Sequence, residues 1–206
     1  MKRLLLCSTF ALATLLAMPA CAQERGNARQ AEAPSRSPDV IFVPTPQEAV
    51  DKMLEMAELK PGQKLYDLGC GDGRIVVTAA KKYGVRAVGI DIDPQRVKES
   101  RENVKKNNVG NLAEIRHADI FEVDFSDADV VTMYLLPSLN VKLIPQLQKL
   151  KPGARIISYS FDMQGVEPTQ VVNDPYTIYK WVAPIRPEIT DAAGAERKRS
   201  RDRGNR

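Results

Sequence analysis

Leu65-Tyr66-Asp67-Leu68-Gly69-Cys70-Gly71-Asp72-Gly73 runs from an apolar strand directly into a turn with almost no side chains. Glycines there let the backbone take positive φ and pass close to a ligand, because no Cβ stands in the way. The next strand, Ala87-Val88-Gly89-Ile90-Asp91, ends in an acid 22 positions after Gly69. In an open α/β sheet, an acid at that strand tip lies where ribose hydroxyls are read. The order strand, bare turn, helix, strand, acid is the layout of a nucleoside site.

Glycine spacing separates the ligands that use this layout. Dinucleotide sites favour G-x-G-x-x-G/A, in which the third small residue lets helix and strand pack tightly below a pyrophosphate. Gly69 and Gly71 fit that pattern, but the third position is Arg74. The third glycine instead comes one residue early, giving Asp67-x-Gly69-x-Gly71-x-Gly73. A solvated structural turn would not account for Asp67 and Asp91 together. The pattern resembles motif I of class I S-adenosylmethionine (SAM)-dependent methyltransferases, and the resemblance implies SAM as the cofactor. A carboxylate at Asp67 can approach the cationic amino-acid end of SAM, directly or through water. Asp91 can accept bonds from both ribose hydroxyls. Further along, Ala113-Glu114-Ile115-Arg116-His117 reads as a short strand before Ala118-Asp119-Ile120-Phe121. In this family an acid just after the third strand accepts from the adenine amino group while apolar neighbours pack on the ring, which points to Asp119 and Ile120. The implied cofactor set is Asp67, Gly69, Cys70, Gly71, Gly73, Asp91, Ile92, Asp119 and Ile120. His117, the only histidine, is expected to point off the sheet and receives no role.

The chain around this motif alternates strands and helices. Thr45 before Pro46 predicts a capped helix with Glu48 completing a capping box, and Val50, Met53, Leu54 and Ala57 form one apolar stripe. Ile75 to Lys82 reads as a helix closed by Gly84. Asp93-Pro94 caps another running to about Asn107, stopped by Gly110. Val130 to Tyr134 is a strand, Leu139 to Lys151 a helix bent at Pro145, and Ala154 to Ser160 the fifth strand. Val166 to Val172 and Thr177 to Val182 read as a closing hairpin. The expected fold is a Rossmann-like class I methyltransferase sheet, α/β and mostly parallel, with helices on both faces and an antiparallel closing hairpin. Little sequence remains between strand five and the hairpin for the family's fifth helix.

Composition and the chain ends set the remaining bounds. The 206 residues, 43% apolar and 27% charged, suit one domain with tails. Met1-Lys2-Arg3, the apolar run from Leu4 to Ala17 and the small residues Ala20-Cys21-Ala22 read as a secretory signal peptide over residues 1–22. Cys21 keeps lipid anchoring open as the alternative. Residues 23–39 read as a disordered linker, 40–183 as the methyltransferase domain and 184–206 as a disordered basic tail. That tail is either solvated or a contact for nucleic acid or anionic lipid. Without Lys2 and Arg3 the chain holds 28 basic against 26 acidic residues, which does not mark a nucleic-acid binder. Cys70 would be the one thiol left, so neither an intramolecular disulfide nor a Cys/His metal site is expected. The expected protein is exported or membrane-associated, and a monomer. The leader and the site pull in opposite directions, because SAM is made in the cytoplasm.

Chemistry belongs at the carboxyl ends of strands four and five. Enzymes that methylate base amino groups often carry Asn or Asp, then Pro-Pro and an aromatic, where strand four ends. Here the residues are Met133-Tyr134-Leu135-Leu136-Pro137, which argues against a nucleic-acid base as acceptor. Together with Val43-Pro44-Thr45-Pro46, Asn140 and Gly153 to Ser158, this stretch resembles the group containing the mitochondrial lysine methyltransferases of the ATP synthase c subunit and the adenine nucleotide translocase. By that resemblance the acceptor is a protein lysine; a small-molecule N- or O-methyltransferase and a non-catalytic SAM-binding envelope protein stand as alternatives. A lysine must lose a proton before it can react, and Tyr134, Asp162 or Glu48 could take it, with Tyr134 and Asp162 the catalytic candidates.

Overall fold

The computed structural model describes residues 37–38 and 41–187. The expected signal peptide, nearly all of the linker and the tail beyond residue 187 lie outside the described residues. Within them, four helices and seven strands follow in the order α1 (Gln47–Met56), β1 (Lys64–Leu68), α2 (Arg74–Tyr83), β2 (Arg86–Asp91), α3 (Pro94–Lys106), β3 (Ala113–His117), β4 (Val130–Met133), α4 (Pro137–Leu147), β5 (Arg155–Tyr159), β6 (Gln170–Val172) and β7 (Ile178–Val182). One seven-stranded sheet runs β3-β2-β1-β4-β5-β7-β6. The strands from β3 to β5 are parallel, β7 returns antiparallel against β5, and β6 pairs antiparallel with β7. The order reverses at β1, whose neighbours are β2 and β4, and that reversal opens the crevice used by ligands in such sheets.

Period-two alternation divides the apolar residues between two faces. Leu65, Ala87, Ala113 and Val130 pack under α1, α2 and α3, with Val50, Met53, Leu54, Ile75, Val76 and Val97. Tyr66, Val88, Ile90, Val131, Met133 and Ile156 face the other way, against Leu143 and Leu147 of α4 and Trp181. Both faces carry helices, but unequally. Two loops supplement α4: Phe125 and Ile120 come from the β3–β4 connection, Met163 and Val166 from the segment after β5. The Trp181 indole N–H donates to the Val166 carbonyl at 2.9 Å, fixing that second loop where a fifth helix would have lain.

Several boundaries differ from the sequence expectation. Thr45 does not cap α1; Pro46 holds that position in extended geometry with no side-chain cap, and Glu48 closes no capping box. The Thr45 carbonyl is held instead by Arg74 Nη1 at 2.7 Å, while Glu48 accepts from the Tyr176 hydroxyl. Helix α3 ends where expected, with Asn107 as its C-cap, but the residue that stops it is Asn108, at a positive φ of 56° that asparagine tolerates, and not Gly110. Helix α4 begins at Pro137 and ends at Leu147 instead of reaching Lys151: Pro145 lacks the N–H for the carbonyl one turn back, and the following residues tighten into turns. Strand β6 is only three residues long, since the Val166 N–H turns back to Met163 and Pro168 has none to give a ladder.

Candidate active site

The turn after β1 is tied to β2 by the amides of Gly69 and Cys70, which both donate to the Ile90 carbonyl at 2.9 and 3.0 Å. Gly71 then has φ 54°, and Gly73 caps α2 at φ 76°. Both conformations favour glycine, and neither residue has room for a Cβ. At Gly73 it would stand 2.9 Å from Ser100 Cβ, so the glycine sets the approach of α2 to α3. At Gly71 it would enter the ring of Phe42. The expectation that Gly71 is bare to admit ligand is therefore corrected: its open side is filled by Phe42, whose ring also lies 4.8 Å from the Arg96 guanidinium.

A cleft of about 910 Å³, part of it open to solvent, lies over the crevice. Of the residues expected to hold a cofactor, Asp67, Gly69, Cys70, Asp91, Ile92, Asp119 and Ile120 line it; Gly71 and Gly73 support the turn from behind. Of the two catalytic candidates, Tyr134 is on the wall and Asp162 is not. The Asp162 side chain is exposed, and its backbone carbonyl accepts from Asn140 Nδ2 at 2.8 Å. His117 lies off the wall too, its Nε2 3.0 Å from the Ile92 carbonyl.

Two buried carboxylates dominate the electrostatics. Asp91 Oδ2 accepts from the Gly71 N–H at 2.8 Å and Oδ1 from the Asp93 N–H at 2.9 Å, which fixes the group's plane and leaves further lone pairs for a ligand. Burial nevertheless raises the Asp91 pKa, against the pull of those two amides. Asp67, 2% exposed, is pushed up to about 7, first by burial and then by the charges of Asp91 and Asp72; the Thr132 hydroxyl, donating to Oδ1 at 2.8 Å, opposes the shift. Burial also drives the Cys70 thiol well up, so it stays a thiol and acts as apolar wall. Asp119 receives the Phe121 N–H at 2.9 Å. Such a cleft is built for a ligand that brings positive charge, since an incoming cation relieves what desolvation costs the carboxylates. That fits a sulfonium with an ammonium tail, and it does not fit a diphosphate.

Sequence reasoning missed several wall residues. Phe42, Arg96, Leu135 and Leu139 also face the cleft. Thr132 escaped because its partner is 65 positions away; the only hint was a hydroxyl inside the apolar run Val130 to Met133.

Residues 67–170 match the ANTKMT methyltransferase domain. The chain belongs to this family. It is a SAM-dependent methyltransferase with the class I fold. A protein-lysine N-methyltransferase of Saccharolobus islandicus is 45% identical over 152 residues, covering 70% of this chain and 94% of that protein. The human lysine N-methyltransferase of the ATP synthase c subunit is 32% identical over 134 residues, 65% of this chain and 57% of the human protein. The crystal structure of an RNA methyltransferase from Salinibacter ruber with S-adenosylhomocysteine (SAH) is 49% identical, with a TM-score of 0.69 over 72% of this methyltransferase and 99% of that chain.

Proposed function

We propose that this methyltransferase acts on the side-chain amine of protein lysine, with the cleft over β1, β2 and β4 holding SAM. SAM supplies a methyl group on a sulfonium sulfur, which keeps the bonding electron pair when an acceptor lone pair takes the carbon. Asp67 holds the cationic amino-acid end, Asp91 the ribose hydroxyls and Asp119 the adenine amino group, with Ile92 and Ile120 against the ring. Tyr134, at the end of β4, forms the acceptor side of the cleft. Positioning and desolvating the amine is the protein's main task, and burial beside Tyr134 and Leu135 favours its neutral, reactive form.

The observation that carries the lysine reading is the similarity to a protein-lysine methyltransferase along almost that protein's whole length. A nucleic-acid acceptor has one point in its favour, the relative described as an RNA methyltransferase. Against it stands Tyr134-Leu135-Leu136-Pro137, which lacks the residues that grip a flipped base. Incubating the full chain with methyl-labelled SAM and a cell extract, then hydrolysing the products, decides between them. Label in methyl-lysine supports the proposal; label in nucleotides or free metabolites refutes it.

The basic, then apolar, then small-residue pattern of residues 1–22 supports export as part of the same proposal. Residues 1–30 fused to a reporter that is active only outside the cytoplasm should give signal. A silent reporter would refute export.

A further inference from the structure

At the carboxyl end of β5 the chain makes a three-residue γ-turn. Phe161 N–H donates to the Tyr159 carbonyl at 2.8 Å across Ser160, which sits at φ 66°. A γ-turn with positive φ at its centre is rare and strained, and a non-glycine residue keeps such a conformation only where its surroundings enforce it. Here they do. The Ser160 N–H donates to the Thr177 carbonyl at 2.8 Å, the Ser158 hydroxyl reaches the Phe161 carbonyl at 2.6 Å, and Asn140 of α4 grips the next carbonyl.

The turn brings Tyr159 and Phe161 onto one ring. Tyr134 receives Tyr159 edge-on at 4.7 Å between centroids and stacks on Phe161 at 6.0 Å. Tyr159 in turn meets Tyr176 at 6.1 Å, and the Tyr176 hydroxyl donates to Glu48 Oε2 at 2.9 Å. All four rings are half-buried, and Glu48 is exposed. A run of aromatic rings thus starts on the cofactor cleft at Tyr134 and ends at a carboxylate on the surface.

We propose that this run is the acceptor subsite and that it binds an alkylammonium side chain, including one that already carries methyl groups. The proposal rests on the lysine reading above and adds the residues that select the acceptor. Ring faces attract ammonium and quaternary ammonium groups, and a carboxylate at the outer end draws in the cation. Glu48 at the outer end disfavours a polyanion there, so stacked nucleic-acid bases are the less suited occupants. Ser160 and Asn140 are positioning residues, acting through the rings they orient.

The test uses the full chain saturated with SAH, titrated by NMR with end-blocked Nε-trimethyl-lysine, lysine and norleucine, and separately with a short single-stranded RNA. The trimethyl-lysine derivative should bind about tenfold more tightly than the neutral norleucine, the scale of one cation–π contact. Phe161→Leu should bring that ratio close to one, Phe161→Tyr should retain it, and SAH affinity should stay within about twofold in both. If Phe161→Leu also loses SAH, Tyr176→Leu, at the far end of the run, supplies the same comparison. Equal or absent binding of trimethyl-lysine and norleucine to the SAH-bound protein overturns the subsite alone, whereas RNA binding that Phe161→Leu abolishes overturns the subsite and the lysine reading together. Failure of the unaltered chain to bind SAH overturns the underlying cofactor reading as well.

Discussion

Thr132 and Asp67 face each other as register partners on β4 and β1, and the Thr132 hydroxyl donates to Asp67 Oδ1 at 2.8 Å in the floor of the cleft. It is a single neutral donor to a buried acid. That is too little to hold the carboxylate ionised, which is why the Asp67 pKa rises to about 7 and not below the usual carboxylate range. The acid is poised for a cation to complete it.

This poise fixes a pH dependence. With a folded pKa of about 7 against an ordinary value of 3.8, the ligand-free protein holds a proton that the unfolded chain releases. The contribution of Asp67 to stability is greatest below the unfolded value, falls as pH rises toward 7 and then levels off. SAM binding runs the opposite way: the cation prefers the ionised acid, so affinity rises with pH up to about 7 and binding at pH 6 releases protons. Calorimetry in buffers of different ionisation enthalpy measures that release, and Asp67→Asn should remove it. Proton uptake on binding would contradict the prediction.

Gly71 and Phe42 should behave as a coupled pair. Gly71→Ala meets two penalties, the positive φ and the Phe42 ring, and should lower unfolding free energy by about 2–3 kcal/mol. Adding Phe42→Ala removes the collision but not the backbone strain. Urea midpoints should therefore place Gly71→Ala with Phe42→Ala above the sum of the two single changes.

Gly89 in β2 touches the site from beneath. A Cβ there would lie 2.9 Å from Cys70 Sγ, Ile115 Cδ1 and Val76 Cγ2 at once. Gly89→Ala should cost about 1–3 kcal/mol of stability by overpacking, and should weaken SAH binding through the displaced turn. A variant as stable as the parent would show that α2 can move away from the sheet.

The two catalytic candidates should separate in kinetics. Tyr134→Leu strips the ring that joins the cleft to the aromatic run, and should lower kcat/KM for the acceptor by about tenfold to a hundredfold. Asp162→Ala removes an exposed carboxylate and spares the carbonyl held by Asn140, so turnover should stay within about twofold. The reverse order of effects would move the acceptor side out toward Asp162.

How much of this was legible in the sequence depends on how local the signal was. Leu65 to Gly73, Asp91 and the Asp93-Pro94 cap carry their meaning in short spacings, and each lies where those spacings placed it. Asp67, Asp91 and Asp119, set on three different strand ends, meet at one cleft because the parallel order aligns those ends. Phe42 over Gly71 and the rings on Tyr134 join residues far apart in the chain, and no periodicity encodes such contacts. Thr45 misled for a related reason: its capping signature was sound locally, but Arg74 had already engaged its carbonyl.

The nucleoside site is tested most sharply by calorimetric titration of the full chain and of Asp91→Ala with SAM. One site per chain is expected, with a loss of roughly 1.5–3 kcal/mol of binding free energy in the variant, the scale of hydrogen bonds to a charged group. Circular dichroism should show the variant folded. Equal affinity of the two proteins for SAM would mean that Asp91 does not grip the ligand, and the cleft would lose its assignment.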